Sequence, residues 1–218
     1  MNVAAATVQM NRIYRRQRHI YDFTRRYYLL GRDELIERLG VLPGHRVLEM
    51  GCGTGRNLIV AANRYPEARF YGVDVSTEML TSAREAIGSA AQSSRIRVEH
   101  GDASAFEPRA TFGIERFDRV FVAYTLSMIP EWQAAIDRAL SLLAPGGELH
   151  VVDFGGQTAW PGLARLALQR WLSAFHVTPR EELENTLKMH AIERGARLVF
   201  ERRFGDYVQY GRMILPAT

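Results

Sequence analysis

Two periods of apolar spacing take turns along most of this chain, and their alternation predicts its elements. Arg46-Val47-Leu48 is a short apolar run that reads as a buried strand, and Arg56 to Ala62 carries the spacing of a helix. Arg69 to Asp74 reads as the next strand, and Thr77 to Ile87 as a helix with Ser76 as its N-cap. Arg95 to Glu99 alternates as a strand, Phe117 to Tyr124 forms another, and a helix follows from Pro130 to Leu143. After the turn Pro145-Gly146-Gly147 come the strand Glu148 to Asp153 and two further strands at Arg197 to Glu201 and Tyr207 to Leu215. Ahead of all this, Met10, Ile13, Tyr14, Ile20, Tyr21, Thr24, Tyr27 and Tyr28 mark one stripe of a helix over Met10 to Leu30. Gly31 ends or bends it, and Asp33 to Leu39 starts another helix with acids in its first turn. The alternation of strand and helix predicts an α/β fold.

The junction between the first strand and its helix carries the chemistry. Glu49-Met50-Gly51-Cys52-Gly53-Thr54-Gly55 is a glycine turn in a strand–turn–helix crossover. Its glycines let the backbone approach a ligand where a Cβ would collide, and the helix behind presents free N–H groups. A dinucleotide fingerprint runs G-x-G-x-x-G, whereas here the spacing is G-x-G-x-G with an acid two residues ahead. A carboxylate at Glu49 would repel a pyrophosphate and suits a cationic ligand. S-adenosylmethionine, with a sulfonium, an ammonium and no phosphate, fits that requirement.

On this stretch the chain resembles the class I S-adenosylmethionine-dependent methyltransferases, whose first motif is E/D-x-G-x-G-x-G. The Leu-Ala-Pro-Gly-Gly-Glu-Leu run at 143–149 is a second likeness, of a structural kind. The resemblance covers Leu42 to Leu215 and implies a Rossmann-like seven-stranded, mostly parallel sheet with an antiparallel last strand, helices on both faces and N-terminal helices in addition. It further implies that Asp74 takes the ribose hydroxyls, that Met79 packs near the adenosine, and that Asp102 and Ala103 meet the adenine. The cofactor positions it carries over are Glu49, Gly51, Cys52, Gly53, Gly55, Asn57, Asp74, Val75, Met79, Asp102, Ala103 and Ala123. The segment between Asp153 and Gly195 reads as an insert of the kind that forms substrate lids in this family. The chain thus divides into an N-terminal helical segment over 1–40 and a cofactor-binding domain over 41–218 with its insert at 154–194.

Length and composition add limits. With 218 residues and 47% hydrophobic content the chain can bury one substantial core. One cysteine, Cys52, excludes an internal disulfide and reads as a small packed residue in the glycine turn. No metal site is expected. No apolar run reaches the roughly 20 residues that span a bilayer, and the first ten residues lack a basic n-region. A reduced cytoplasmic setting, soluble or peripheral at the inner face of the membrane, is the expectation.

The charge is uneven. Residues 1–32 hold seven arginines against Asp22 alone, so a chain of net charge +4 has two more acids than bases in its remainder. A basic helix with tyrosines along its apolar side suits an anionic membrane surface. A docked helix with a solvated face, a nucleic-acid contact and an organellar presequence share the same pattern. The strand end at Tyr124 to Ile129 lacks the Asn/Asp-Pro-Pro-Tyr/Phe run of enzymes that methylate flipped bases, which argues against a nucleobase and against a nucleic-acid partner.

Methyl transfer from a sulfonium is an in-line displacement that asks mainly for alignment and exclusion of water. If the acceptor is an amine, tyrosine faces would stabilise the growing cation by about 0.5–2 kcal/mol each. His19-Ile20-Tyr21-Asp22-Phe23-Thr24-Arg25 followed by Leu30-Gly31-Arg32 resembles the start of bacterial betaine-lipid N-methyltransferases, which trimethylate the amine of diacylglyceryl-homoserine, with phosphatidylethanolamine N-methyltransferases as relatives. The resemblance implies successive methylation of a lipid head group. Tyr14, Tyr21 and Tyr124 are the expected catalytic aromatics, and Arg25, Tyr28, His176, Arg180, Tyr207 and Arg212 the expected substrate contacts. Methylation of a soluble small molecule at nitrogen or oxygen, and a non-catalytic cofactor-binding or RNA-contacting module, are the alternatives.

Overall fold

Side chains on successive strand residues point to opposite faces of a sheet, and here that alternation builds two apolar layers. The computed structural model describes residues 29–217. The helix expected over Met10–Leu30 lies, up to residue 28, outside the described residues. Gly31, at φ +80°, starts α1 (Arg32–Arg38), whose first turn carries Asp33 and Glu34. The alternation then runs β1 (Arg46–Met50), α2 (Arg56–Arg64), β2 (Arg69–Asp74), α3 (Thr77–Ser89), β3 (Ile96–His100), α4 (Pro108–Phe112) and β4 (Phe117–Ala123). A 3₁₀ turn at Leu126–Met128 leads to α5 (Trp132–Ser141), β5 (Leu143–Phe154), α6 (Gly162–Ala174), α7 (Leu183–Arg194), β6 (Arg197–Arg203) and β7 (Val208–Ile214).

The seven strands lie in the order β3-β2-β1-β4-β5-β7-β6. The first five are parallel, and β7 runs antiparallel to both β5 and β6. This is the Rossmann-like sheet with an antiparallel last strand. Val47, Phe70, Phe121 and Val152 face one layer with Leu35 of α1, Leu39 just after it, Leu58 of α2 and Leu80 of α3. Leu48, Val73, Val120 and Val151 face the other, against Phe112 of α4, Ile136 of α5 and Leu187 of α7.

The boundary that moves furthest from the sequence expectation is the junction of α5 and β5. The helix expected to run to Leu143 stops at Ser141, and Leu143 already belongs to β5. The Phe117 N–H donates to Leu142 O at 2.9 Å and draws this stretch into the sheet. Pro145-Gly146-Gly147 then sits inside β5 as an irregularity, where the register jumps from Phe117 opposite Leu143 to Arg119 opposite Glu148.

The layer under α1 also holds a polar stripe. Arg212 of β7 donates to both oxygens of Glu148 at 2.7 and 3.0 Å, and Arg119 of β4 approaches the same carboxylate at 3.3 Å. Arg119 also donates to Leu39 O and Gly40 O, which ties the end of α1 to the sheet. His150, fully buried, bridges Glu148 and the Tyr210 hydroxyl at 3.0 and 2.9 Å. Burial alone would raise the Glu148 carboxyl, but hydrogen bonds from His150 and Arg212 and the charge of Arg119 hold it at about 2. Burial pushes the His150 imidazole below its ordinary range, against the pull of Glu148.

Both shifts act in one direction on stability. A depressed carboxyl contributes fully above its unfolded value of 4.5 and is lost as pH falls toward about 2, and a depressed histidine favours the unfolded chain below 6.5. Between pH 7 and about 4.5 the raised carboxyls at the other end of the sheet act the opposite way, so urea unfolding should show the loss due to Glu148 as an acid limb from about pH 4.5 down to pH 3. Glu148→Gln, which leaves Arg119 and Arg212 facing each other, should cost about 2–4 kcal/mol at pH 7 and flatten that acid limb. An unchanged acid limb in the variant would remove Glu148 from this role.

Candidate active site

The C-terminal ends of β1 and β4 diverge around a cavity, and glycine makes that possible. Gly51, at φ +76°, follows β1, and a Cβ there would lie 2.2 Å from the Thr125 methyl. The Gly51 and Cys52 N–H groups both donate to Val73 O, which keeps the loop hooked to β2. Gly53 N–H donates to Asp74 Oδ2 and Ser76 N–H to Oδ1, each at 2.8 Å, so the Asp74 carboxylate is fixed at the end of β2. Ser76 in turn caps α3 by accepting from Met79 N–H. Gly55 begins α2 at φ +75°, and a Cβ there would stand 3.2 Å from Ala83 Cβ. Its freedom therefore serves the packing of α2 on α3.

Glu49 is the electrostatic centre. It is buried, and Asn57 Nδ2, in the first turn of α2, donates to its Oε1 at 2.7 Å. Its Oε2 is buried with no hydrogen-bond partner among the described residues. Burial raises this carboxyl to about 8; Asn57, Arg32 and Arg56 pull against the rise and Asp74 adds to it. A buried acceptor without a donor costs roughly 1–3 kcal/mol, so the site favours a ligand that brings one.

Across the cavity, Asp102 accepts from the Ser104 N–H and hydroxyl at 2.8 and 2.7 Å. Tyr124, at φ +57°, leaves β4 in the left-handed region, with its ring edge against Phe154 and its hydroxyl donating to Leu30 O. Burial pushes that phenol well above its ordinary range, so it stays neutral. The 3₁₀ turn after it is held from below by Asp153, which accepts from Ser127 N–H and Phe154 N–H. Burial raises Asp153 to about 6.

The resulting cavity has a volume of about 380 Å³. Of the residues singled out in the sequence it brings together Glu49, Gly51, Cys52, Gly53, Asn57, Asp74, Val75, Asp102, Ala103, Ala123 and Tyr124. The Cys52 thiol is pushed up, by burial first and then by Asp74 and Glu49, so it is no nucleophile. Gly55 and Met79 do not line this cavity. Met79 is buried against Met128 and Phe175 instead.

The expected substrate contacts are dispersed. Arg180 donates to Leu126 O and Ile129 O at 3.0 and 2.7 Å, so it clamps the turn that forms the wall and does not itself line it. Tyr207 is buried, stacked on Trp160 and edge-on to Phe154. Arg212 is spent on Glu148, toward the opposite end of the sheet. His176 is exposed just beyond the C-terminal end of α6, its N–H on Ser173 O. Tyr14, Tyr21, Arg25 and Tyr28 lie outside the described residues. Thr125, Met128 and Ile129 belong to the stretch after β4 that the sequence places across from the glycine loop, as the first positions beyond a parallel strand, and they line the cavity. The lining also includes residues that had no role in the sequence reading, notably Arg32, Arg56 and Glu131, and Glu131 was findable on the same ground. Arg56 was not, because its pairing with Asp33 at 2.8 Å crosses 23 positions of sequence.

Residues 47–147 match the methyltransferase domain family. The match covers a little under half of the chain and, with the seven-stranded sheet, marks a methyltransferase fold. Its cofactor is S-adenosylmethionine. Over 119 residues the chain is 33% identical to a trans-aconitate 2-methyltransferase of Variovorax paradoxus, covering 55% of this chain and 42% of that protein. The chain thus spans less than half the length of that curated relative. Among solved structures, an O-methyltransferase family protein from Burkholderia thailandensis superposes with a TM-score of 0.70 at 19% identity, over 96% of this chain and 63% of that one. A Haemonchus contortus phosphoethanolamine N-methyltransferase, in complex with phosphomonomethylethanolamine and S-adenosylhomocysteine, does so with a TM-score of 0.67 at 18% identity, over 86% and 53%.

The burial of Glu49 in the domain has a measurable cost. Its carboxyl keeps a proton up to about 8 in the fold and gives it up near 4.5 when unfolded, so between those values it works against folding. In the cofactor-free protein, Glu49→Gln should add about 1–3 kcal/mol at pH 7.5 and nothing at pH 4, read by thermal melting. The same change should weaken S-adenosylmethionine binding about 100-fold. Calorimetry of the wild type at pH 7 should show proton release on binding, with affinity rising toward pH 8; binding with no proton release would contradict the raised carboxyl.

Proposed function

We propose that this chain methylates the amine of a lipid head group, successively and at one site, with diacylglyceryl-homoserine as the acceptor and the trimethylated betaine lipid as the product. The observation that carries the reading is the charge of the cavity wall. Four acidic side chains, Glu49, Asp74, Asp102 and Glu131, line it against two guanidinium groups, Arg32 and Arg56; Arg56 is held by Asp33, and Glu49 keeps its proton until a cation arrives. Such a wall suits a cofactor and a product that are both cationic. The basic, tyrosine-rich stretch from Met10 to Leu30 and its likeness to betaine-lipid enzymes supply the lipid part of the reading.

The residues present fit the cofactor. Glu49 Oε2 is an acceptor awaiting a donor, which the ammonium of S-adenosylmethionine would satisfy. The cradle at Gly51 admits no Cβ. Asp74 would take the ribose hydroxyls, and Asp102 with the Ala103 N–H the adenine. When bound, S-adenosylmethionine supplies an electrophilic methyl group on a sulfonium. The chain's own part is to align the acceptor and exclude water. Tyr124 is neutral and hydrogen-bonded to Leu30, so it offers its ring to the growing cation and takes no proton. Phosphatidylethanolamine is the alternative lipid amine.

A second reading has its own support. The relative from Variovorax paradoxus is named for methylating trans-aconitate, and Arg32 together with Arg56 could receive an acid. Labelled S-adenosylmethionine incubated with total bacterial lipids, and separately with trans-aconitate and related small acids, separates the two. Gains of one, two and three methyl groups on diacylglyceryl-homoserine or phosphatidylethanolamine are expected. Label confined to small acids would replace the lipid reading, and cofactor binding without label anywhere would remove transfer from this chain.

A further inference from the structure

A surface helix is expected to turn its apolar side inward, and α6 does the reverse over nearly half of its circumference. At 100° per residue, Leu166, Arg170, Leu163, Ala174, Ala167, Trp171 and Ala164 fall on one continuous arc. All seven are exposed: Leu163 is 85% accessible, Leu166 61% and Trp171 40%. Only Leu172 on the opposite side is buried, with Leu168 packed partly against the core beside it. Arg165, on that inner side, is paired with Glu181 at 3.1 Å. The arc therefore holds two leucines, a tryptophan, three alanines and a single charged residue, Arg170. Met189 and Ile192 of α7 are exposed as well, but Glu184, Lys188 and Glu193 break that surface with both signs of charge.

Charge says what the arc fits. From Gln157 to Arg180 the chain has three arginines and no acidic residue. An apolar arc with an arginine at its centre and a tryptophan at its edge has the make-up of a helix lying in the interface of an anionic bilayer. A chain of contacts links the arc to the cavity. Trp171 packs on Phe175 with ring centroids 5.0 Å apart, Phe175 and Met128 both pack against Met79, and Met128 is part of the cavity wall.

We propose that α6 is an interfacial docking helix that seats Leu163, Leu166 and Trp171 in the acyl region of an anionic membrane, with Arg170 at the phosphates, and so holds the cavity mouth against the surface that carries the acceptor. This rests on the lipid reading of the acceptor and assigns it a second attachment point besides the N-terminal stretch.

The test uses the full chain and vesicles of equimolar phosphatidylglycerol and phosphatidylcholine, with phosphatidylcholine alone for comparison. The wild type should sediment with the anionic vesicles. Leu163→Asp combined with Leu166→Asp should lower that partition about tenfold or more with an unchanged melting temperature, because both side chains are already in solvent. Ile192→Asp on α7 should leave partition unchanged. Arg170→Glu should weaken binding to anionic vesicles and Arg170→Lys should retain it.

Unchanged sedimentation of the double variant overturns the proposal. So does a lowered melting temperature in that variant, which would mean that the chain's own residues cover the arc. A fall in its mass by light scattering without vesicles, which would mean that a second copy covers it, overturns it too. Methyl transfer to a detergent-dispersed lipid amine, run in parallel, keeps the two readings apart. Loss of partition with no lipid activity in the wild type would retain the docking surface and discard the acceptor. Lipid activity with undiminished partition of the variant would do the opposite.

Discussion

The ends of β1 and β4 come so close that no side chain can stand between the Gly51 backbone and the Thr125 methyl. Everything at the site depends on that approach. With β1 flanked by β2 on one side and β4 on the other, the strand order reverses there, and helices leave toward opposite faces. The cleft that opens is bounded by the glycine loop, by Asp74 at the end of β2 and by Tyr124 at the end of β4. A methyl group at Gly51 would have to displace Thr125 and at the same time adopt a backbone angle that side chains resist. Two independent penalties therefore protect one glycine, whereas Gly55 protects only the contact between two helices.

Polar groups on the layer under α1 divide into two kinds. Toward one end of the sheet, Glu148, His150, Arg119, Arg212 and Tyr210 satisfy one another, and α1 is anchored to them through Leu39 and Gly40. Toward the other end, Glu49 has one oxygen satisfied and one not. The first arrangement stabilises the fold and the second works against it. That contrast, between a closed network and an open one on the same face, distinguishes scaffold from site without reference to any relative.

Much of the fold was legible because strand and helix periods are local. Ser76 as a cap, the acids at the start of α1 and the glycine turn were read from neighbours within a few residues. That Glu49, Asp74 and Asp102 share one cavity wall was also legible, the first from its glycine motif and the other two through the family resemblance, because each stands at or near the end of a strand. The reading thinned where a side chain's role depends on register. Nothing near Arg212 in the sequence says that it meets Glu148 across 64 positions, or that Arg180 spends its donors on Leu126 and Ile129. Both were assigned to substrate because arginines in a lid or on a late strand look available until the sheet is assembled. Glycines carry the same ambiguity, since a residue needed for ligand approach and one needed for helix packing are the same letter. The end of α5 was misjudged because the sheet, through Phe117, claims Leu142 and Leu143 before the helical pattern runs out.

The hydrogen bond from Tyr124 to Leu30 O has a consequence for kinetics rather than for stability. It fastens Leu30 to the residue that follows β4, and Leu29 is itself part of the cavity wall. This side of the wall can move aside only when that bond breaks, so the rate at which a ligand enters or leaves here is tied to a local opening step.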